Sequence, residues 1–299
     1  MKKILLYSGA ILLMSACDKV TDPRIAGAAD PNKLVGSNFT TNTNSPANIR
    51  KVLVEDYTGH TCGNCPLAAN VAYSLSNQFP NSVVVMAVHA GNYAAVDNAD
   101  GYPAYYGTPA GEKWFLNPSS GFGFQTAGNP NGMINRKVYP GSSLIESYTK
   151  WFSTVYYSQQ NDLNVLNFNM TTFYDPSIRA LNLDISTKLV ATYTNNIMMS
   201  AGILEDSIVG PQKDYRYFPD RVANYTFNHM LRGTFKNAPY GDLLVKAPAN
   251  SGDTAHIRFV GLTLDASFNV NHMWAIVFAY DAQTLEVLQA EKVRIIKSQ

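Results

Sequence analysis

The sequence predicts an α/β domain over residues 49–160 followed by an all-β sandwich over residues 161–299, and three observations carry that prediction. A short apolar run, Val52 to Tyr57, ends in a glycine-containing loop and a Cys-x-x-Cys pair that opens a helix-period stretch. A continuous β-branched run, Ser82 to Val88 (SVVVMAV), has the composition of a strand buried in the middle of an α/β sheet. After Asn161 the pattern changes to many short alternating stretches with no convincing helix, which argues for packed antiparallel sheets.

Met1 to Ala16 carries Lys2 and Lys3, then the apolar run Ile4 to Met14, then Ser15 and Ala16 directly before Cys17. Residues 1–16 read as a signal peptide, too short to span a bilayer as an ordinary transmembrane helix. The segment Leu13 to Cys17 resembles the lipobox of bacterial lipoproteins. That likeness implies cleavage before Cys17 and lipidation of its thiol and new amino group. Acyl chains would then hold the protein on a membrane, each buried methylene contributing roughly 0.8 kcal/mol. The mature chain leaves the cytoplasm for a compartment where disulfides persist. Residues 17–48 are rich in Asn, Thr, Ser, Pro, Gly and Ala, show no apolar period, and read as a flexible tether.

Beyond the tether, the 46% hydrophobic content of the chain allows a sizeable core. Net charge is +1, and no basic patch with interleaved aromatics occurs, which argues against a nucleic-acid partner. No second long apolar run follows the first.

The stretch VLVEDYTGHTCGNCP holds the candidate chemistry. A thiolate at a helix N-terminus is stabilised by the positive end of the helix dipole, and a second Cys three residues on closes a disulfide across the first turn. On this reading Cys62 is the exposed nucleophile and Cys65 the buried resolving thiol. A lone Cys-x-x-Cys is also half of a zinc site, or an inert structural disulfide. Zinc is disfavoured because the chain has only three cysteines, so two ligands would have to come from His60, His89, His229, His256 or His272 in distant segments. No metal and no cofactor are expected. Cys65 is followed by Pro66 and not by His, so no c-type haem attachment is implied. His60 and His89 are candidates for tuning Cys62 or binding copper, although a lone His near a loop is more often a plain polar surface group.

The α/β elements follow in order. Pro66 to Phe79 reads as a helix, with Leu67, Val71, Leu75 and Phe79 on one stripe and Pro66 in the first turn, where its missing N–H costs nothing. Residues 90–128, rich in Gly, Tyr, Phe and Pro, read as an insertion near the redox centre, with only Glu112 to Leu116 helical. Gly128 to Asn135 is a turn feeding a short strand. Ser143 with Glu146 reads as a capping box for a helix whose apolar face is Leu144, Tyr148, Trp151, Phe152 and Val155, closing the domain near Gln160.

The Cys-x-x-Cys at the start of the first helix, with Pro130 just before a later strand, resembles the thioredoxin fold. Within that superfamily, EDYTGHTCGNCP, MAVHAGNY, NPNGMINR and YTFNHMLRG are together similar to the Omp28-related outer membrane lipoproteins of Bacteroidetes, from about Ile49 to the end. The resemblance implies an α/β thioredoxin-like domain, with Cys62 attacking, Cys65 resolving, a cis Pro130 facing the disulfide and Asn129 before it on the substrate side. It places the buried acid of thioredoxins on Asp56, where desolvation would raise the pKa and permit proton exchange with Cys65. Strand alternation puts Glu55 on the opposite face. Thr61 and Asn64 depart from the usual Trp and Pro around the first Cys. The family implies the outer membrane, lipid-anchored, on its periplasmic face or the cell surface.

In the second half, Leu166, Phe168 and Met170 alternate, as do Leu181, Leu183 and Ile185, and Tyr225, Phe227, His229 and Leu231. Ile257 to Leu264, Trp274 to Tyr280 and Val287 to Ile296 are further strand-like runs. An immunoglobulin-like sandwich that binds or spaces is expected, since no nucleophile with an adjacent base is visible. Two functions remain open: thiol–disulfide exchange on envelope client proteins, or a surface adhesin or assembly lipoprotein in which the disulfide is a staple.

Overall fold

The computed structural model describes residues 25–26, 39–45, 49–235 and 238–296, with the side chains of 25–26 and 39–40 left aside. The expected signal peptide and the lipidation site Cys17 lie outside the described residues, as does most of the expected tether. In chain order the elements are β1 (Ile25–Ala26), β2 (Phe39–Asn44), β3 (Val52–Thr58), α1 (Cys65–Gln78), β4 (Val83–His89), α2 (Pro109–Phe115), α3 (Phe124–Ala127), β5 (Asn131–Ile134) and α4 (Trp151–Asn161). The rest is β: β6 (Leu166–Asp175), β7 (Ala180–Leu189), β8 (Ile197–Glu205), β9 (Ile208–Lys213), β10 (Arg221–Phe227), β11 (Met230–Thr234), β12 (Asp242–Val245), β13 (Thr254–Leu264), β14 (Met273–Asp281) and β15 (Val287–Arg294).

These strands form a five-stranded sheet, β1-β13-β7-β6-β2, a two-stranded hairpin, β9-β10, and an eight-stranded sheet, β15-β14-β8-β11-β4-β3-β5, with β12 paired to β8. The fold class expected from sequence is therefore overturned. An α/β thioredoxin-like domain followed by a separate immunoglobulin-like sandwich does not form. Strands hold 42% of the residues against 18% in helices. One continuous sheet joins β5, β3 and β4 to β11, β8, β14 and β15, across the boundary placed near residue 160. The junction is a parallel contact of β11 with β4 at Met230 and Ala87, where the Ala87 N–H donates to the His229 carbonyl at 2.8 Å. Strand patterning shows which segments are extended. It does not show whose edge each one meets, because every strand presents the same backbone donors and acceptors.

One face of the large sheet carries Leu53, Tyr57, Met86, Leu204, Leu231, Ile276 and Phe278, and is covered by Ala110 and Trp114 of α2 and by Phe124 of α3. The opposite face has two covers. Over β3, β4 and β5 it packs Val52, Val54, Val85 and Ile134 against Ala68, Ala72 and Leu75 of α1 and Trp151 and Val155 of α4. Over β8 and β14 it packs Met199, Ala201, Ala275 and Val277 against Phe168, Met170, Leu183 and Ile185 of the five-stranded sheet. Between these two covers lies the β9-β10 hairpin, with Phe227 and Ile208 against Tyr106 and Met230.

Two local expectations also change. Phe39–Asn44, in the expected tether, is a strand paired residue for residue with Asn169–Tyr174 of β6, and Thr41 Oγ1 lies 2.6 Å from Thr172 Oγ1. Threonine carries strand propensity without the hydrophobicity that makes a strand visible in sequence. Ser143 and Glu146 do not form a capping box. Glu146 instead bridges to Gly132 through its backbone and accepts from Thr154 Oγ1 at 3.1 Å, and the helix starts only at Trp151.

Candidate functional site

β3 is buried at all seven positions because sheet neighbours and packing layers cover it on every side. It ends in a tight loop at Gly59. A side chain at Gly59 would place its Cβ 2.4 Å from the Tyr93 backbone, and Thr61 N–H donates to that carbonyl at 3.1 Å, so only glycine lets the loop pass so close. The loop delivers Cys62 to the start of α1, where Cys62 and Cys65 form a disulfide with a Cα–Cα distance of 5.4 Å. Pro66 occupies the first turn of the helix.

The expectation of an exposed Cys62 is corrected: it is 4% exposed, and Cys65 is 1% exposed. The cover comes from β9 and the residues after it. Gln212 Nε2 donates to the Cys62 carbonyl at 3.0 Å and to the Lys213 carbonyl at 2.7 Å. Lys213 N–H donates to the His60 carbonyl at 2.8 Å, and Tyr215 N–H donates to the Gly63 carbonyl at 3.0 Å. The Tyr215 ring lies on Gly63, where a Cβ would come within 2.5 Å of it. Beyond this clamp the loop is apolar and bare, with Tyr215 and Tyr217 more than half exposed and Phe218 fully so.

Asp56 and Cys65 share the wall of a cavity of about 400 Å³ between α1, β4 and the end of β10. Asp56 is 1% exposed, and its Oδ1 has no protein hydrogen-bond partner. Burial without a cation raises its pKa from 3.8 to about 7, so near neutrality it both takes up and gives up a proton. Glu55, one residue earlier, points to the other face and is held by Arg136 through two 2.8 Å bonds.

His60 and His89 are buried, not surface groups. Burial lowers the pKa of His60 to about 4 and that of His89 to about 3, so both rings are neutral at pH 7. His60 meets the Tyr106 ring edge-on at 5.0 Å, and His89 meets Tyr106 and Phe227, each at 5.5 Å. His89 lines the cavity with Asp56 and leaves Nδ1 without a partner. Among the described residues no cluster of three His, Cys, Asp or Glu side chains is placed to hold a metal ion.

The Asn129–Pro130 bond is cis, and Asn129 Nδ2 donates to the Thr58 carbonyl at 3.2 Å, at the end of β3. Both residues stand beside the strand that leads to the cysteines, and neither lines the cavity. Gln212, Tyr215, Tyr106 and Tyr225 complete the site and were not identified from the sequence. Nothing local marks Gln212, which reaches Cys62 from 150 residues away.

Residues 121–299 match the family described as outer membrane protein Omp28, a span that includes Pro130 and the β9-β10 hairpin and begins after the Cys-x-x-Cys. Among curated proteins none matches this chain. A crystal structure of a protein from Agrobacterium tumefaciens is similar over 84% of this chain and 97% of its own, at 11% identity and a TM-score of 0.49. The crystal structure of a domain of the outer membrane lipoprotein Omp28 from Porphyromonas gingivalis aligns with 46% of this chain and 92% of its own, at 18% identity and a TM-score of 0.29. The family match spans more than half of the chain, and the protein therefore belongs to the outer membrane protein Omp28 family, with the outer membrane as its location.

Proposed function

We propose that this protein exchanges disulfides with proteins of the cell envelope, held on the membrane by lipid on Cys17. The observation that carries the reading is the pairing of a disulfide at the first turn of α1 with an unpaired buried carboxyl in the same cavity, Asp56 beside Cys65. A client thiolate attacks Cys62, the S–S bond breaks, and Cys65 leaves with the electron pair. The neutral carboxyl of Asp56 supplies its proton, and in the reverse direction the carboxylate takes the proton back. Tyr215 lies on Gly63 of the disulfide loop, and with the bare aromatics Tyr217 and Phe218 that follow it in the chain it suits a protein partner, since such side chains dominate binding energy at interfaces. Clients gain access when the Gln212 and Tyr215 clamp shifts.

The burial of both sulfurs favours a second reading, in which the disulfide is a staple and the aromatic loop serves adhesion or assembly. Mixed-disulfide trapping separates the two. Cys65→Ser accumulates reductant-sensitive complexes with envelope proteins on a non-reducing gel, and Cys62→Ser traps few or none. Equal behaviour of the two variants, with both merely less stable by about 2 kcal/mol, supports the staple.

A further inference from the structure

The disulfide has two unlike sides. On the Cys62 side, the protein's own hairpin occupies the backbone of the Cys-x-x-Cys loop from His60 to Gly63. On the Cys65 side lies the cavity, and Cys62 is not part of its wall. About 400 Å³ is the size of a small-molecule site. Its floor holds two buried polar side chains with unsatisfied atoms, Asp56 and His89, which a protein interior tolerates poorly unless something else meets them. Its rim, between Asn70 and Tyr73 of α1 and Thr226 of β10, is exposed.

We infer that this cavity is a binding site for a low-molecular-weight thiol, which reacts with the disulfide at Cys65 while client proteins meet Cys62 from the opposite side. The inference rests on the exchange reading above and adds the second substrate. The slot between a helix and a hairpin admits a small molecule and excludes a folded protein's cysteine. The floor carries no cation at neutral pH, because burial keeps His89 neutral and leaves Asp56 at most negative, and His229 on the wall is matched by the Asp206 carboxylate at 3.2 Å, so the lining adds no net positive charge. The site therefore favours a thiol bearing an amine or hydroxyl over one bearing carboxylates.

The incoming thiol passes its proton to the Asp56 carboxylate, and its sulfur attacks Cys65 Sγ. The S–S bond breaks and Cys62 leaves as the thiolate. A second small thiol attacks the mixed disulfide, releasing a small-molecule disulfide and the Cys65 thiolate, which takes the proton from Asp56. Two thiols are oxidised and one protein disulfide is reduced, with the remaining proton ending on Cys62.

The test follows the same chemistry in reverse, by intact mass, on proteins that also carry Cys17→Ala, so that each variant retains one cysteine. Cystamine forms a mixed disulfide with folded Cys62→Ser, which retains Cys65, at least tenfold faster than with folded Cys65→Ser, and the two rates converge in urea. The anionic dithiodiglycolate shows no such preference. Filling the cavity with Ala69→Trp removes the excess at Cys65 and leaves the Cys62 rate unchanged, which also reports that the protein is folded. Faster modification of Cys62 than of Cys65, or an Ala69→Trp protein that retains the excess, overturns the inference. Client trapping by Cys65→Ser alongside an inert Cys65 would sink the small-thiol site alone, whereas reactive Cys65 without client trapping would sink protein exchange.

Discussion

Glu55 and Asp56 are neighbours on one strand, are equally buried, and lead opposite lives. Glu55 faces the layer of α2 and α3, where Arg136 meets it with two parallel bonds of 2.8 Å. Arg136 is held against the rings of Trp114, Phe122 and Phe278, each centred within 5 Å of its guanidinium carbon, and these take the place of a hydrogen-bond partner for Nη1. Burial opposes the charge on Arg136, and the Glu55 carboxylate outweighs it, so Arg136 stays firmly protonated. Asp56 faces α1 and the cavity with no cation, and its pKa climbs to about 7. Burial alone thus decides little about a carboxylate. The partner decides whether the group is a fixed ion or a mobile proton.

The largest effect is expected at Arg136. Arg136→Ala leaves Glu55 charged and alone and removes contacts with three rings, so we expect a loss of about 3–5 kcal/mol in urea unfolding at pH 7. A loss under 1 kcal/mol would mean that the pair contributes nothing.

Asp56→Asn should do the reverse, and only at high pH. The folded-state pKa lies above the ordinary 3.8, so folding favours the neutral acid. The stability linked to Asp56 is fully present below about pH 4 and is lost as pH rises through about 7, with a ceiling of about 4 kcal/mol. Asn cannot ionise, so the variant gains on the wild type progressively above pH 4 and plateaus near pH 8. A flat difference between the two stability curves would show that Asp56 is not isolated.

The smallest effect sharpens the contrast by wetting the Asp56 side. Gln212→Ala removes three hydrogen bonds from the cover, at a cost of about 1–2 kcal/mol. Water then reaches the disulfide and the cavity, so the protein is reduced faster by dithiothreitol. The pH midpoint of the Asp56 effect moves down toward the ordinary carboxylate range. No change in either readout would mean that Gln212 does not seal the site.

Much of this region was legible residue by residue. The apolar run Val52 to Tyr57, the stripe from Leu67 to Phe79 and the β-branched run after Asn81 correspond to β3, α1 and β4 within one or two residues. Cys-x-x-Cys spacing closes a disulfide, and alternation assigns Glu55 and Asp56 to opposite faces. The burial of Cys62 was not legible, because its cover is Gln212 and Tyr215, residues whose neighbours carry no sign of a distant loop. The burial of His60 and His89 escaped for the same reason: Tyr106 and Phe227 reach them from the insertion and the hairpin.

Residue patterns alone specify β3, α1 and β4, the disulfide spacing, the two-faced strand and the family, because these depend on side-chain period and on strings of adjacent residues. The pairing of β4 with β11, which joins what looked like two domains into one sheet, arises only in the folded chain. Folding alone brings an arginine to Glu55 and none to Asp56, and lays over Cys62 a hairpin some 150 residues further along the chain while Cys65 meets a cavity. Backbone edges and buried charges are generic in their demands, and which group answers them depends on chain paths that no single stretch of sequence encodes.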